Sequence, residues 1–245
     1  MPAMKTPAKK IVLPTELHIP DSGWPKQATW LVIGAPKTGK TKFASSWPRT
    51  FILNFELRGT RYIEDAFCED VDSLTELRGW FGILKAAYDA GERPYDTIAI
   101  DTIDVVKDLV YASVLDDMGI SEMGEAKKRG DDWLRGREGV LNILRQFSQL
   151  PVNLLIIAHS KPVVIGERTV GTTVDLPGSL ARYVMGSVEN ILNCTVTAGR
   201  YQVCPQRHSA AIDAGSRLPA LNLIQECPTS YKDLRAAFDK ESKGG

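Results

Sequence analysis

The sequence predicts an α/β fold, with a mainly parallel sheet that is covered by helices on both faces. Apolar segments of strand length alternate with segments of helical periodicity, and the strand-like segments lie at 29–33, 51–55, 97–100 and 154–158. Strands buried on both faces are continuous apolar runs, and helices connect such parallel neighbours. A length of 245 residues suits one domain with a substantial core. We expect residues 1–27 to form an N-terminal arm and residues 28–245 to form the core.

Helix signals occupy the intervals between the predicted strands. A short helix is expected from Thr41, and the capping box at Ser73 to Glu76 opens a longer helix that ends at Gly91. Two further helices are predicted by their apolar spacing, and they lie at about 104–115 and about 137–150, with a polar stretch at 116–136 between them.

After the fourth strand the pattern becomes less regular. Residues 162–178 are rich in glycine and threonine and show no settled period, whereas residues 180–185 have helical spacing. Ser230 is expected to cap a short last helix, which a frayed tail at 241–245 follows. Extra C-terminal strands are predicted at 188–196, 201–205 and 221–224.

Composition and charge restrict the class of partner. The 30 lysine and arginine residues balance the 30 aspartate and glutamate residues, so the formal net charge is +0. No overall field therefore attracts nucleic acid or a membrane, and a DNA site would have to be a local patch. No apolar run approaches the ~20 residues that a membrane helix needs. We expect no membrane partner.

The four cysteines indicate the compartment. They show no C-x-x-C spacing, and buried free thiols in a reducing cytoplasm are the favoured interpretation. The alternative is a zinc site, although the spacings fit no common zinc pattern; its ligands would be Cys194, Cys204, His208 and Cys227. We expect a cytoplasmic protein.

Residues 34–41 carry the most specific motif of the chain. They match G-x-x-x-x-G-K-[ST] at every fixed position, and they lie between an apolar strand and a helix, as this phosphate-binding loop requires. Glycines let the backbone curl so that successive N–H groups face a phosphate. The alternative is a chance loop that binds nothing. The predicted nucleotide-binding residues are Gly34, Ala35, Pro36, Lys37, Thr38, Gly39, Lys40 and Thr41.

Two residues of this loop have specific predicted roles. Lys40 would reach the β- and γ-phosphates of ATP, and the Thr41 hydroxyl would ligate Mg²⁺. ATP and Mg²⁺ are therefore the predicted ligands.

Polar residues follow three of the predicted strands, at the edge where parallel sheets collect ligands. Asp101 would hold Mg²⁺ opposite Thr41, and the alternative is a helix N-cap. Glu56 would polarise a water that attacks the γ-phosphate, and the alternative is a solvated carboxylate beside two arginines. His159 would sense the γ-phosphate and pass its state to the following loop, and the alternative is a histidine that merely caps the sheet.

The order of these motifs resembles that of RecA-like ATPases. GAPKTGKT, the acid in NFELRG, AIDT on the third strand and the polar residue in IIAHSK follow that order, and the resemblance covers roughly residues 28–225. The small size resembles phage nucleotide-binding proteins, among them minimal RecA-core single-strand annealing proteins. The resemblance implies a RecA-like P-loop fold and a weak or DNA-stimulated ATPase whose catalytic residues include Glu56, Lys40 and His159.

The resemblance also implies partners. A RecA-like protein of this kind would form a ring or filament of identical subunits and act on single-stranded DNA in recombination or strand annealing, in the cytoplasm of a bacterial host. A single-strand-binding protein is a further candidate partner. The segments 110–135 and 161–180 correspond to the two DNA-facing loops of the family, and the residues that would contact DNA phosphates are Lys127, Lys128, Arg129, Lys161 and Arg168. The alternative is a solvated, mobile loop and an ordinary charged helix end.

A late arginine completes the set of candidates. RecA-like and DnaB-like ATPases place a basic pair on a late strand that reaches the neighbouring subunit's site, and the corresponding residues here are Gly215-Ser216-Arg217. A glycine replaces the usual lysine, so Arg217 alone is the predicted catalytic finger. The alternative is a surface arginine next to the turn at Pro219.

Two other functions use the same loop. One is a nucleotide-gated switch with slow hydrolysis and a protein partner. The other is a small-molecule or nucleotide kinase, but such kinases usually carry an arginine-rich lid, whereas the segment 161–178 has only Lys161 and Arg168 as bases. Glu56 also favours water as the nucleophile.

Overall fold

The computed structural model describes residues 23–207 and 213–243. Most of the predicted N-terminal arm, His208 and the last two residues of the tail lie outside this part of the chain. Trp24, which the sequence assigns to the arm, stacks on Trp30 with the ring centroids 5.4 Å apart. In the described ranges, no helix is both long enough and apolar enough to cross a membrane.

The described part of the chain contains ten strands joined in one sheet. Their bounds are β1 Thr29–Gly34, β2 Thr50–Asn54, β3 Phe67–Asp70, β4 Thr97–Asp101, β5 Asn153–Ile165, β6 Arg168–Val174, β7 Asn190–Thr197, β8 Arg200–Cys204, β9 Gly215–Ser216 and β10 Cys227–Pro228. The helices are α1 Lys40–Ser45, α2 Leu74–Asp89, α3 Ile103–Met118, α4 Asp131–Ser148, α5 Gly178–Ser187 and α6 Tyr231–Glu241, with a 3-10 helix at Pro219–Leu223.

The sheet has the order β10-β8-β7-β1-β5-β4-β2-β3, with β6 paired to β5 and β9 paired to β7. The six strands from β7 to β3 are mutually parallel, whereas β6, β8, β9 and β10 pair antiparallel with their neighbours. The predicted α/β class, a mainly parallel sheet with extra C-terminal strands, is therefore confirmed. Because β5 lies between β1 and β4, the residues that end these three strands meet at one edge.

Alternation along the strands divides the core between the two faces of the sheet. Leu31 and Ile33 of β1 face a cluster that contains apolar side chains of α2, α3, α4 and α5. Trp30 and Val32 face the opposite cluster, which contains Phe43 of α1 and apolar side chains of α6. Helices thus cover both faces, as predicted.

The segment after His159 differs from its prediction. Strand β5 does not end near residue 158 but continues to Ile165 and turns back into β6. Residues 162–174, expected to be without regular structure, form an antiparallel hairpin in which Lys161 pairs with Thr173. Threonine and valine favour strands, and here their strand propensity outweighs the low strand propensity of the glycines.

Three other elements differ from the prediction. Helix α4 begins at Asp131 rather than near residue 137, and the buried carboxylate of Asp132 accepts a hydrogen bond from the Gly124 N–H, which anchors its first turn. The strand predicted at 221–224 is a 3-10 helix that opens with Pro219, a residue that cannot donate to a sheet. Strand β3 was not predicted, because this mostly exposed edge strand lacks an apolar pattern.

Candidate functional site

The loop from Gly34 to Thr41 leads from β1 into α1. Local geometry explains why its two fixed positions, 34 and 39, are glycine. A Cβ at Gly34 would lie 2.5 Å from the Thr38 Oγ1 and 2.6 Å from the Cys194 carbonyl oxygen. Gly39 has a φ of 85°, in the left-handed region that favours glycine. The tight curl of the loop therefore depends on both residues.

Lys40 points into the curl of this loop. Its Nζ donates hydrogen bonds of 3.0 Å to the carbonyl oxygens of Gly34 and Ala35, and the residue is 6% exposed. Burial lowers the pKa of the Lys40 ammonium, although the charge of Asp101 opposes this shift. The cation is thus held where a bound phosphate would meet it.

Thr41 and Asp101 are in direct contact. The Thr41 Oγ1 donates a 2.6 Å hydrogen bond to the Asp101 Oδ2, and Asp101 is 2% exposed. Burial raises the pKa of Asp101 to about 6, while the Thr41 hydrogen bond lowers it and the charge of Glu56 raises it further. The N-cap of α3 is Thr102 and not Asp101, and the peptide bond between these two residues is cis.

This pair suits a hard cation. A hydroxyl and a buried carboxylate are oxygen ligands of the kind that Mg²⁺ takes in proteins, usually together with water and substrate phosphates. Within 23–207 and 213–243, no group of three or more His, Cys, Asp or Glu residues could hold a metal by itself. The donor set therefore fits Mg²⁺ bound together with a nucleotide.

His159 lies between two carboxylates at the same edge. Its Nε2 is 3.5 Å from the Glu56 Oε1, and its Nδ1 is 3.4 Å from the Asp104 Oδ2. The backbone N–H of His159 also donates a 2.9 Å hydrogen bond to the Asp104 Oδ2. The turn that presents Glu56 is held by Asn54, whose side chain bonds both the N–H and the carbonyl of Glu56. Glu56 thus faces His159 rather than solvent alone.

A family model described as an AAA domain matches residues 26–218, a span that contains the phosphate loop and all the strand-end residues above. The chain belongs to this family. Among solved structures, a KaiC-like protein from the hyperthermophilic archaeon Pyrococcus horikoshii OT3 is similar at 13% identity and a TM-score of 0.46, covering 84% of this chain and 86% of that chain. No curated protein matches. Family membership and the loop at 34–41 support a P-loop ATPase.

Arg217 lies far from the phosphate loop of its own AAA domain. It is exposed, and its backbone N–H donates to the Glu189 carbonyl oxygen at 3.0 Å. Ser216 pairs with Asn190, which pairs in turn with Trp30 near the start of β1. The loop follows the other end of β1, so Arg217 and the loop lie at opposite edges of the sheet.

The five predicted DNA contacts of this AAA domain occupy two different elements. Lys127, Lys128 and Arg129 are exposed in the connection between α3 and α4. Lys161 and Arg168 are exposed on the β5–β6 hairpin, and the Lys161 Nζ is 3.1 Å from the Asp175 Oδ1. The Lys161 ammonium is therefore already paired in the structure.

Two residues near the site were not assigned a role from the sequence. Tyr201 on β8 lies so close to Gly39 that a Cβ there would be 3.0 Å from the Tyr201 Cδ1, and its ring is half-exposed. Such a ring can stack on a planar ligand. Tyr201 lies far from the phosphate loop in the sequence and belongs to no motif, so no sequence pattern indicated its position. Asp104 lies in the first turn of α3, three residues after Asp101, and this spacing is the signal that could have revealed it.

Proposed function

We propose that this AAA-domain protein is an oligomeric ATPase that acts on single-stranded DNA in recombination or strand annealing. The observation that carries the ATPase part is the contact of Thr41 with the buried Asp101, at the edge where Glu56 and His159 also meet. A phosphate loop, a metal-binding pair and a carboxylate close to them are the parts that hydrolysis of a nucleotide requires.

Each residue has a definite task in this proposal. Lys40 and the backbone N–H groups of the loop would bind the phosphates of ATP, and Thr41 and Asp101 would hold Mg²⁺. The metal would neutralise charge on these phosphates. Glu56 would orient a water molecule and accept its proton during attack on the γ-phosphate. His159, 3.5 Å from Glu56, would contact the γ-phosphate on the same side.

Support for a DNA-bound role comes from the continuity between His159 and the hairpin. The His159 carbonyl accepts a 2.8 Å hydrogen bond from the Asp175 N–H, and β5 carries the chain directly from His159 to Lys161. A change in His159 would therefore reach the basic residues of the hairpin. DNA phosphate would compete with Asp175 for the Lys161 ammonium, so binding of DNA would require this ion pair to break.

Support for assembly comes from the position of Arg217. An exposed arginine at the edge opposite the loop cannot serve its own site, but a head-to-tail contact between two copies would join the opposite edges. Rings and filaments are both built from such contacts, and Arg217 of one subunit would then complete the site of the next.

We further infer a reducing cytoplasm as the compartment. Cys194, Cys204 and Cys227 are buried free thiols, and burial raises the pKa of Cys194 and Cys227 to about 12. Thiols of this kind are chemically inert and serve packing.

The hairpin also favours a second candidate, a nucleotide-gated switch with slow hydrolysis and a protein partner. The same link from His159 to Lys161 would serve such a switch equally well, with a protein in place of DNA. The two candidates differ in whether single strands bind and whether they stimulate turnover.

Phosphate release from ATP, measured with and without single-stranded DNA and alongside a screen of phosphoryl acceptors, tests the proposal. We expect release that DNA stimulates, with no acceptor phosphorylated. The control is Lys40→Ala, which should lose nucleotide binding but keep its melting temperature, because burial already disfavours this ammonium. Nucleotide binding without any response to DNA would favour the switch, and a phosphorylated acceptor would overturn the ATPase.

A further inference from the structure

Asp104 makes its polar contacts with a residue of another element. A carboxylate in the first turn of a helix commonly accepts from N–H groups of that helix, yet the Asp104 Oδ2 accepts from the backbone N–H of His159 at 2.9 Å. The same oxygen lies 3.4 Å from the ring Nδ1 of His159. The other oxygen, Oδ1, is buried and has no hydrogen-bond partner among the described residues.

The two lysines that line the neighbouring cavity do not account for this arrangement. A cavity of about 530 Å³ lies beside His159, and its lining includes Asp104, Lys107, Asp108, Lys161 and Asp175. Lys107 pairs with Asp108 at 2.7 Å, and Lys161 pairs with Asp175 at 3.1 Å. Each lysine that lines the cavity thus has its own acid, and the contacts of Asp104 go to His159. A carboxylate oxygen that is buried without a hydrogen bond is costly, and this cost points to a role of Asp104 beyond packing.

The two contacts of Asp104 constrain His159 in different ways. The bond to the backbone N–H fixes the strand, while the 3.4 Å contact of the carboxylate with Nδ1 favours a ring rotation in which this nitrogen faces Asp104 and carries a proton. The hydrogen bond at one ring nitrogen decides what the other can do. With Nδ1 facing Asp104, the ring directs Nε2 towards the Glu56 Oε1 at 3.5 Å.

We propose that Asp104 is a positioning residue that holds the His159 ring with Nδ1 protonated and Nε2 facing Glu56. The inference rests on the proposed ATP hydrolysis for its kinetic consequence, since a misaligned His159 would leave Glu56 without its neighbour at the γ-phosphate. Asp104 itself touches neither nucleotide nor water in this assignment.

The kinetic test compares Asp104→Ala and Asp104→Asn with a matched control. Alanine should lower kcat about tenfold or more while nucleotide affinity stays within about twofold, as for other residues that orient a catalytic group. Asparagine retains an oxygen for the His159 N–H and should restore part of kcat. The control is Asp108→Ala, which removes an acid that lines the same cavity and pairs with Lys107. Equal losses of kcat in Asp104→Ala and Asp108→Ala would overturn the assignment.

A double-mutant cycle distinguishes an effect of Asp104 that acts through His159 from an independent effect. If Asp104 acts through His159, then Asp104→Ala should cost almost nothing further in kcat when it is added to His159→Ala. Losses of kcat that multiply in the double variant would show that Asp104 acts independently of His159 and would overturn the proposal.

A spectroscopic readout does not depend on turnover. The chain has three histidines, so the ¹⁵N signals of the His159 ring can be assigned by comparison with His159→Ala. We expect a protonated Nδ1 in the wild type and a loss of this preference in Asp104→Ala. A bare Nδ1 in the wild type would refute the role of Asp104. If the protein instead showed no ATP hydrolysis but the expected ring signals, the proposed function would fail while the positioning of His159 would stand.

Discussion

Burial shifts the pKa values of two oppositely charged residues at the phosphate site, Lys40 and Asp101. It lowers the pKa of the Lys40 ammonium and raises the pKa of the Asp101 carboxyl, and the charge of each partly offsets the shift of the other. Phosphates would bring negative charge to Lys40, and a cation would bring positive charge to Asp101. Both residues would therefore gain a partner when Mg-ATP binds, which favours binding over the empty state.

The raised pKa of Asp101 predicts a pH dependence of stability. An acid whose pKa is higher in the folded state stabilises the fold most below its unfolded pKa, and this contribution is lost as pH rises through the folded value. A rise from 3.8 to about 6 corresponds to about 3 kcal/mol of unfolding free energy. Without metal and nucleotide, the stability of the wild type relative to Asp101→Asn should fall by about this amount between about pH 3 and pH 7.

Urea unfolding of both proteins over this range measures that difference directly. The comparison removes the contributions of titrating groups that do not interact with Asp101. If the free energies of unfolding of the two proteins stay parallel across this pH range, burial does not raise the pKa of Asp101.

Glu56→Gln should separate binding from hydrolysis. The amide retains the size of the side chain and can still contact His159, but it cannot accept a proton from water. We expect nucleotide affinity to remain while the rate of hydrolysis falls roughly 10²-fold or more, the range of a lost general base. Glu64→Gln, an exposed residue of the same connection, is the control. Full activity in Glu56→Gln would return Glu56 to the role of a surface carboxylate.

At the scale of elements, the hairpin β5–β6 links the phosphate site to the basic residues. Strand β5 pairs with β1 and β4 in the centre of the sheet and then leaves it to pair with β6. One continuous strand thus carries His159 and Lys161. This continuous strand replaces the irregular segment that the sequence predicted after residue 161.

Replacing Lys161 and Arg168 of the hairpin by alanine should weaken single-strand binding and its dependence on salt. Each lost phosphate contact should reduce the slope of log affinity against log salt by about 0.7. The measurement is a salt titration with and without a non-hydrolysable ATP analogue. A matched control is the double variant Lys85→Ala, Lys232→Ala, which removes the same charge from α2 and α6.

Asp175→Asn provides the opposite change in the same element. It releases Lys161 from its 3.1 Å ion pair and should strengthen binding of single strands. An unchanged slope in the hairpin variant and unchanged affinity in Asp175→Asn would place any DNA site elsewhere, with Lys127, Lys128 and Arg129 as the next candidates.

At the scale of the whole molecule, the sheet separates Arg217 from the other proposed site residues. The phosphate loop, Asp101 and His159 lie at the carboxyl edge, and Arg217 lies at the amino edge. The proposed nucleotide-binding groups therefore lie at one edge of the sheet, and the proposed catalytic arginine lies at the other. Only contact between copies can bring the two together.

Mixing inactive variants tests completion of the site between subunits. Lys40→Ala should lose hydrolysis because it loses nucleotide binding. Arg217→Ala should hydrolyse ATP on the order of 10³-fold more slowly, because an arginine on the transferring phosphate contributes a factor of this size. A mixture should regain activity, because some interfaces join an intact Lys40 to an intact Arg217. Unchanged hydrolysis in Arg217→Ala alone would refute the role of this residue.

The sequence by itself determined the parts of the molecule that depend on local pattern. The apolar runs predicted β1, β2, β4 and β5, and the motif at 34–41 predicted the loop, because its glycines meet steric demands within a few residues. Tertiary structure alone decided the rest. Strand β3 exists because β2 offers an edge, and α4 starts early because Gly124 meets the Asp132 carboxylate. Asp104 reaches His159 only because β4 and β5 are neighbours, a contact across 55 residues that no local pattern contains.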